Sequence, residues 1–367
     1  MPESLRVAHL GTQSGWRGGE QQQAWLASGL QSRGHECLVI CNTRGEMARR
    51  APKLGLKTVP IPVRGEIGVR SVTRTARALR EFEPHIVHLH DAHAVLIGSL
   101  ASKLARSPAL VASRRVDFRI RSRWKYTWAV NRIVAISDAV RSVLIDCGLP
   151  AEMISVVHSG VDLSRFEGMP DRESARAALE LDPQDLAVGM VAALTDHKGH
   201  RFLLEAWPQV IASHPRARLL LAGDGELGDE LRAQASALGI DSSVRFLGYV
   251  GDVTRLLAAL DLFTMSSHLE GLCTSLMDAM AAGLPVVATS AGGIPEVVEG
   301  NRTGVLVAPR DAGALAGAVC ALLSDSARRM ELGRAGRERA LAKFGYDRMV
   351  EGTLEIYRQV LGEGTAR

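Results

Sequence analysis

The sequence contains little cysteine, few aromatic residues and no long apolar run. Its cysteines are odd in number and scattered, with no CxxC pair and no grouping with histidine at zinc spacing: Cys37, Cys41, Cys147, Cys273 and Cys320. This pattern is typical of a reducing compartment, so we expect no disulfide framework and no structural metal. The most apolar stretch, residues 272–294, is interrupted by Asp278 and Pro285, so we expect no membrane-spanning helix.

The N-terminal residues also lack a basic stretch followed by a long apolar segment, so we expect no secretory leader and a cytoplasmic location. With 46% hydrophobic residues, 23% charged residues and 36 glycines, the composition is typical of a folded, turn-rich α/β protein. The length of 367 residues suits two domains of about 150 to 180 residues each.

Short β-type runs alternate with helical patterns along the chain. The first series comprises residues 6–10, 36–41, 58–63, 86–89, 110–112, 133–136 and 154–157. The second comprises residues 187–193, 218–222, 244–247, 262–264, 285–288 and 305–307. Because parallel strands need crossover helices, this alternation predicts two Rossmann-like α/β domains, each with a parallel sheet.

A turn-rich polar stretch near residues 162–180 separates the two series and is suited to a linker. We therefore predict an N-terminal domain over residues 1–165, a C-terminal domain over 166–345 and a final helix over 346–367. That helix has Val350, Leu354, Tyr357 and Leu361 on one face, which must be buried against another element.

The first strand-to-helix turn, residues 9–20, is rich in glycine and includes Gly18 and Gly19. Glycines at such a turn allow backbone N–H groups to approach a phosphate at the N-terminus of the following helix. The GxGxxG spacing of a dinucleotide site is absent, so an ordinary flexible loop is the alternative.

The most informative stretch is residues 266–289, which predicts a strand end, a turn at Gly271, a helix over 272–282 and another strand. The N–H groups of Leu272, Cys273 and Thr274 would then form an anion site at the strand ends, where α/β sheets bind ligands. Glu270 before the helix and Asp278 within it could hold hydroxyl groups on either side of a diphosphate.

These residues resemble the donor site of glycosyltransferase family four. The resemblance is carried by Glu270 with a second acid eight positions later and by the segments AMAAGLPVVAT and GGIPEVVEG. Further similarities extend over nearly the whole chain: Gly18-Gly19-Glu20, Arg33-Gly34-His35-Glu36, Ala135-Ile136-Ser137-Asp138, Ser159-Gly160-Val161-Asp162, Ala222-Gly223-Asp224-Gly225 and Phe246-Leu247-Gly248-Tyr249-Val250.

The family implies a GT-B fold, in which a nucleotide-sugar donor lies in a cleft between two Rossmann-like domains and the last helix crosses back to the N-domain. It implies that Gly18, Gly19 and Lys198 meet the donor phosphates and that Glu270 reaches the donor sugar. The backbone near Gly248 and Val250 would hold the base, and Asp278 would hold the ribose.

Two departures from the family stand at this site. Asp278 replaces the usual Glu, so its ribose contact is expected to need a small shift or a bridging water. Ala193 replaces the phosphate-binding Arg, so Lys198 is expected to balance the leaving charge with help from Arg201, His197 or Arg17; the alternative is a weakened site.

On the acceptor side, the family usually places a histidine after the strand ending near residue 112, where this chain has Ser113-Arg114-Arg115-Val116-Asp117. Arg115, with Arg114, could contact donor or acceptor, and Asp117 could orient an acceptor hydroxyl. Each is equally compatible with an ordinary surface ion pair.

Four residues at another strand end, His88, His90, Asp91 and His93, have the types found in metal sites. His88 and His90 would share one face of the strand while His93 lies in the loop, so a converging set of three ligands is not assured. We therefore expect no metal.

The net charge of +4 is unevenly distributed, because residues 101–133 carry a local charge of +8 and the remainder carries −4. Cations alternate here with aromatic rings: Arg114, Arg115, Phe118, Arg119, Arg121, Arg123, Trp124, Lys125, Tyr126, Trp128 and Arg132. This mixture suits a lipid-linked or anionic saccharide acceptor or an anionic membrane on its inner face. A solvated helix face is the alternative, and we expect no nucleic-acid partner.

The family resemblance implies sugar transfer with retention of configuration, without metal or other cofactor, and a place in cell-envelope polysaccharide or lipopolysaccharide synthesis. Glu270 would position the donor sugar, and Lys198 with the helix N-terminus would stabilise the leaving diphosphate. Two alternatives remain: a nucleotide-sugar epimerase of the same fold, and a non-catalytic nucleotide-sugar binding module, which Ala193 would explain.

Overall fold

The computed structural model describes residues 4–63, 68–107, 109–120 and 122–364, which divide into two compact units. The first unit runs to Gly160 and includes the final segment from Tyr346, and the second runs from Val161 to Gly345. Among the described residues, no helix combines the length and apolar character that crossing a membrane requires.

The described part of the first unit contains seven strands: β1 (Arg6–Gly11), β2 (Glu36–Asn42), β3 (Lys57–Ile61), β4 (Ile86–Leu89), β5 (Leu110–Arg114), β6 (Arg132–Ala135) and β7 (Ile154–Val156). Its helices are α1 (Gly18–Gln31), α2 (Glu46–Arg50), α3 (Val69–Phe82), α4 (Ala92–Ala105), α5 (Trp124–Thr127), α6 (Asp138–Asp146) and α15 (Tyr346–Gly364). Short 3-10 turns cover Ala51–Leu54 and Ala151–Met153.

The second unit contains six strands: β8 (Leu186–Val191), β9 (Ala217–Ala222), β10 (Val244–Gly248), β11 (Leu262–Met265), β12 (Val286–Thr289) and β13 (Val305–Val307). Its helices are α7 (Arg172–Ala178), α8 (His200–Ser213), α9 (Gly228–Ala237), α10 (Thr254–Ala259), α11 (Thr274–Ala281), α12 (Ile294–Val297), α13 (Ala312–Ser324) and α14 (Ser326–Lys343). Its 3-10 turns cover Leu163–Phe166, Asp196–Lys198 and Asp241–Ser243.

Both sheets are parallel and follow the same strand order, which confirms the predicted pair of Rossmann-like sheets. The first sheet has the order β3-β2-β1-β4-β5-β6-β7, and the second has β10-β9-β8-β11-β12-β13. In each sheet the order reverses next to the first strand, between β1 and β4 or between β8 and β11. Ligands of open α/β sheets bind beyond the carboxyl ends of the strands at such a reversal, so each unit has one expected site.

The final helix packs on the first unit, as the predicted apolar face requires. Val350 and Tyr357 are fully buried, Leu354 is 6% exposed, and Leu361 is partly buried against the same core. The approach of α15 to α1 is close at Gly29, where a Cβ atom would lie 2.6 Å from Cγ2 of Val350. The helix therefore belongs to the core of this unit.

Candidate active site

The reversal point of the second sheet brings two loops into direct contact. β8 and β11 are hydrogen-bonded neighbours, so the loop that follows β8 and the loop that follows β11 leave the sheet side by side. The hydroxyl of Ser266 donates to the carbonyl oxygen of Gly199 at 3.0 Å, and the N–H of His268 donates to the carbonyl oxygen of His197 at 2.9 Å. The two loops thus hold each other in place.

Gly199 makes this close approach possible. Its φ of 68° lies in the left-handed region, and a Cβ atom on it would stand 2.1 Å from the carbonyl oxygen of Ser266. Only glycine satisfies both conditions without strain. Because Gly199 follows Lys198 directly, its conformation sets where the lysine leaves the backbone.

Lys198 and Glu270, 72 residues apart in sequence, meet at this position. The ammonium Nζ of Lys198 lies 2.6 Å from Oε2 of Glu270, and the Ser267 hydroxyl donates to the same oxygen at 3.3 Å. The two side chains are only 19% and 10% exposed. A mostly buried, charge-assisted contact of this kind is strong, and it places a cation and a carboxylate together at the strand ends.

The helix after Glu270 begins later than the sequence predicted. Residue 273 is the N-cap and α11 covers Thr274–Ala281, so Leu272 lies in the turn before the helix and the predicted start at 272 is wrong. The loop before the helix is fixed by the Gly293 N–H, which donates to the carbonyl oxygen of Glu270 at 3.0 Å. Burial raises the pKa of the Cys273 thiol to about 12, so this cysteine stays protonated.

Asp278 lies inside α11, and its carboxylate is mostly buried. Burial raises the pKa of Asp278 to about 7, although the Arg165 guanidinium, with Nη1 3.7 Å from Oδ1, acts in the opposite direction. Within the described part of the chain, Oδ1 of Asp278 is buried and has no hydrogen-bond partner. A buried acceptor without a donor is costly, which makes this oxygen a natural partner for a ligand hydroxyl.

Sequence reasoning missed Arg165. It lies in the 3-10 turn Leu163–Phe166, and besides Asp278 it reaches Oδ1 of Asp252 at 3.5 Å with Nη2. Asp252 comes just after Gly248 and Val250, the residues predicted to hold a base. A single arginine in a turn has no periodic or spacing signal, so nothing in the sequence distinguished it from a surface cation.

The predicted base-binding segment lies at the end of β10. Gly248 has a φ of 68°, and its carbonyl oxygen accepts a hydrogen bond from the N–H of Gly223 at 2.8 Å. Val250 follows in the half-buried turn after it. The end of β10 is therefore held by the residue that follows β9.

Two of the cations named as possible substitutes for the family's Arg, near Ala193, have partners within the second unit. Arg201 lies 3.2 Å from the Asp196 carboxylate, and its Cζ lies 4.7 Å from the centre of the Phe202 ring. His197 lies near Thr195, with Nδ1 3.3 Å from the hydroxyl. Lys198 contacts Glu270, while the supporting role predicted for Arg201, His197 or Arg17 stays a prediction.

In the first unit, Gly18 and Gly19 form the first turn of α1, after a loop over residues 12–17; their phosphate contact and the flexible-loop alternative both stay predictions. Arg17 is the N-cap, and its N–H donates to Oε2 of Glu20 at 2.9 Å. A Cβ atom on Gly19 would lie 3.6 Å from Cδ of Arg115. Burial lowers the pKa of Arg115 to about 10, so it remains a cation at neutral pH.

The histidines at the end of β4 form a cluster with a different third member. His9 of β1, with Nδ1 3.1 Å from Nε2 of His90, replaces the exposed His93, because β1 and β4 are neighbours. Their imidazole nitrogens lie within 4.8 Å of one another, with His88 completing the set. The rings of His88 and His90 stack, with centroids 4.2 Å apart, so their in-plane lone pairs do not converge as metal ligands must.

Each of these three histidines is kept neutral by burial. Burial lowers the pKa of His9 to about 3 and holds the pKa of His88 and of His90 well below the usual value. His88 is held on both sides, with Nδ1 2.5 Å from the Tyr357 hydroxyl and Nε2 2.7 Å from the Ser113 hydroxyl. The cluster thus connects the final helix to the end of β5.

Of the remaining acceptor-side residues, Arg114 is the last residue of β5 and Asp117 lies in the loop after it. Arg114 donates to the carbonyl oxygen of Phe118, and Asp117 is half-buried. Arg121, which belongs to the basic stretch in the sequence, lies outside the described residues.

Two Rossmann-like units, each with a parallel sheet, and a cation and acids at the strand ends of the second define a protein of the GT-B class. The structure is similar to that of the Anabaena protein HepE in complex with UDP and glucose, with a TM-score of 0.87 and 23% identity, over 97% of this chain and 100% of that one. At this identity the likeness shows the fold.

The sequence comparisons identify the family. The model described as "Glycosyl transferases group 1" matches residues 171–339, and the one described as "Glycosyltransferase Family 4" matches residues 16–165. The chain belongs to glycosyltransferase family four.

Two curated relatives are each 34% identical to the chain. The first is a GDP-mannose-dependent monoacylated alpha-(1-6)-phosphatidylinositol monomannoside mannosyltransferase of Corynebacterium glutamicum, matched over 54% of this chain and 54% of the relative. The second is a D-inositol 3-phosphate glycosyltransferase of Mycobacterium marinum, matched over 64% and 52%. The chain spans about half the length of these relatives.

Proposed function

We propose that the chain transfers a sugar from a nucleoside-diphosphate sugar to a saccharide or lipid-linked anionic acceptor, with retention of configuration and without a metal ion. The observation that carries this proposal is the 2.6 Å contact between Lys198 and Glu270 at the reversal point of the second sheet. A cation and a carboxylate at strand ends match a donor that has a diphosphate next to a hydroxyl-rich sugar.

In this proposal the bound donor replaces the Lys198–Glu270 contact with one contact to each of the two side chains. The diphosphate competes for the Lys198 ammonium, and a sugar hydroxyl donates to the freed Glu270 carboxylate. As the glycosidic bond breaks, its electron pair goes to the diphosphate oxygen, and Lys198 with the α11 N-terminus, through Cys273 and Thr274, stabilises the charge. The same oxygen then takes the proton of the acceptor hydroxyl, which attacks from the face that the diphosphate leaves.

The nucleoside would be bound further along the same unit. Oδ1 of Asp278, buried and without a hydrogen-bond partner among the described residues, would accept from a ribose hydroxyl. The backbone at Gly248 and Val250 would hold the base. Gly18 and Gly19 stay predicted phosphate contacts of the first unit.

For the acceptor, we infer an anionic group. The two curated relatives are named for a phosphatidylinositol monomannoside and for D-inositol 3-phosphate, both of which contain phosphate. Arg114, Arg115 and Asp117 are the residues we assign to this side. Synthesis of cell-envelope polysaccharide or lipopolysaccharide, at a cytoplasmic location, would use such an acceptor.

The test measures donor binding and turnover together. UDP-, GDP- and ADP-sugars are screened by calorimetry with and without EDTA, with the wild type, Lys198→Met, Glu270→Gln and the control Lys343→Met, which removes an exposed lysine of the same unit. We expect one donor to bind in EDTA and Lys198→Met to lower turnover by about 10²- to 10³-fold. The control should match the wild type.

The alternative functions predict different results in the same experiment. Binding of a donor without turnover, with acceptors of the anionic class present, would indicate a non-catalytic binding module. Conversion of the donor to its epimer without acceptor would indicate an epimerase. A product with inverted anomeric configuration, read by NMR coupling constants, would contradict retention.

A further inference from the structure

An open apolar groove lies on the first unit, between α3, α4 and the segment that follows α5. Its volume is about 350 Å³. The lining side chains are Val69, Val72, Thr73, Leu100, Lys103, Leu104 and Trp128. Neither the donor residues of the second unit nor the histidine cluster contributes to it, so the proposed function leaves this groove without a role.

Three of the five apolar side chains that line the groove are unusually exposed. Val69 is 76% exposed, Leu104 56% and Trp128 40%, and Trp124, 53% exposed, lies beside Trp128 with ring centroids 6.2 Å apart. Single exposed apolar residues are common on protein surfaces, but a group of them sharing one concave surface indicates a binding site for something apolar.

The elements around the groove are cationic. Arg70 and Arg74 are exposed on α3, and Lys103 and Arg106 are exposed at the end of α4. The one acid within α3 is Glu81, which pairs with Arg77 at 2.7 Å, while α4 and α5 contain no acid at all. Cations around an apolar groove complement a ligand that is anionic at its surface and apolar beneath.

The two exposed tryptophans argue for lipid over nucleic acid. Bases stack on the open faces of aromatic rings, but Nζ of Lys103 lies 4.0 Å from the centre of the Trp128 ring, so that face is already occupied. Trp124 meets Trp128 edge to face. Tryptophan beside lysine and arginine is instead typical of the interface between lipid head groups and acyl chains.

We propose that this groove and its cationic rim dock the first unit on an anionic lipid bilayer. Lys103, Arg70 and Arg74 contact the head groups, while Val69, Leu104 and Trp128 enter the level just below them. This surface is independent of the donor site, so the inference stands or falls separately from the proposed transferase activity.

The experiment is sedimentation of the full chain with sucrose-loaded vesicles of phosphatidylcholine, with and without 30 mol% phosphatidylglycerol. The test variant is Lys103→Gln/Leu104→Gln, which removes one cation and one exposed apolar side chain. The matched control is Met330→Gln/Arg334→Gln on α14, which removes the same two kinds of side chain, Met330 being 71% exposed. Thermal melts first establish that both variants are folded.

We expect the wild type to bind anionic vesicles, to be released by about 0.5 M salt, and to lose about tenfold in affinity in the test variant but not in the control. Brominated acyl chains should quench tryptophan fluorescence, and Trp124→Phe/Trp128→Phe should abolish the quenching. Equal binding to neutral vesicles, no binding, or equal losses in test and control variants would each overturn the proposal. A change of oligomeric mass confined to the test variant would identify the groove as a self-association surface and also overturn it.

Discussion

Arg165 and Asp278 face each other with 3.7 Å between Nη1 and Oδ1, although they are far apart in sequence and belong to different elements. The same guanidinium reaches Asp252 at 3.5 Å, so it links the loop after Gly248 to the carboxylate in α11. Because burial raises the pKa of Asp278 to about 7 and Arg165 opposes that rise, the charge of Asp278 is set within the neutral range.

The first prediction concerns Arg165→Met and the pH dependence of donor binding. A ribose hydroxyl donates best to an ionised carboxylate, so wild-type affinity for a nucleotide sugar should increase as the pH rises through about 7. Loss of the guanidinium removes the group that lowers the pKa of Asp278, so the midpoint should move to higher pH. Calorimetric titrations from pH 5.5 to 9 measure it.

The control for this prediction is Arg255→Met, which removes an exposed arginine of α10 in the same unit. Its midpoint should equal that of the wild type. An unchanged midpoint in Arg165→Met, with donor still binding, would mean that Arg165 does not act on Asp278.

The second prediction concerns Gly199→Ala. The new methyl group would stand 2.1 Å from the Ser266 carbonyl oxygen and the residue would keep a φ of 68°, so the loop that holds Lys198 must move. We expect a loss of about 3 kcal/mol or more in the free energy of unfolding and a weaker donor affinity. Urea unfolding and calorimetry measure the two effects.

Gly239→Ala is its matched control. Gly239 has a φ of 67°, but nothing lies within 4 Å of the position of its added Cβ atom. The free energy of unfolding of this variant should therefore fall only by about 1–2 kcal/mol, the cost of placing a residue with a Cβ atom in the left-handed region. Equal losses in the two variants would show that the contact with Ser266 is unimportant.

The third prediction concerns acid stability and His9. The pKa of His9 is about 3 in the folded protein, against about 6.5 for an unperturbed histidine, so below pH 6.5 the unfolded chain binds the proton more readily. The contribution of neutral His9 to the free energy of unfolding is complete above pH 6.5 and is lost as the pH falls towards 3. We expect His9→Gln to flatten this dependence in urea titrations between pH 8 and 4.5.

His93→Gln is the control for His9, because His93 is exposed at the start of α4. Its pH dependence should follow that of the wild type. If His9→Gln kept the full wild-type slope, His9 would not contribute to the acid sensitivity.

The fourth prediction concerns Tyr357→Phe. Its hydroxyl lies 2.5 Å from Nδ1 of His88, and its removal leaves that buried nitrogen without its partner. We expect a loss of about 1–3 kcal/mol in the free energy of unfolding, measured in urea. Tyr249→Phe, at a side chain that is 55% exposed, should change it little. A loss of the same size in both variants would count against the His88 contact.

Much of the fold could be predicted because its signals are local. Apolar runs separated by helical patterns gave both parallel sheets, and the face with Val350, Leu354 and Tyr357 predicted the burial of the last helix. The acid, turn and helix order around Glu270 was also readable, although the helix starts at Thr274 and not at residue 272.

The sequence by itself determined the two Rossmann-like sheets, the family and the residue types at the proposed donor site, because these follow from periodicity and from motifs of adjacent residues. Only the tertiary structure decided which of those residues meet: Lys198 with Glu270, Arg165 with Asp278, and His9 with His88 and His90. These contacts depend on β8 lying next to β11 and β1 next to β4. Strand order is fixed by burying both faces of a whole sheet at once, and no local pattern records it.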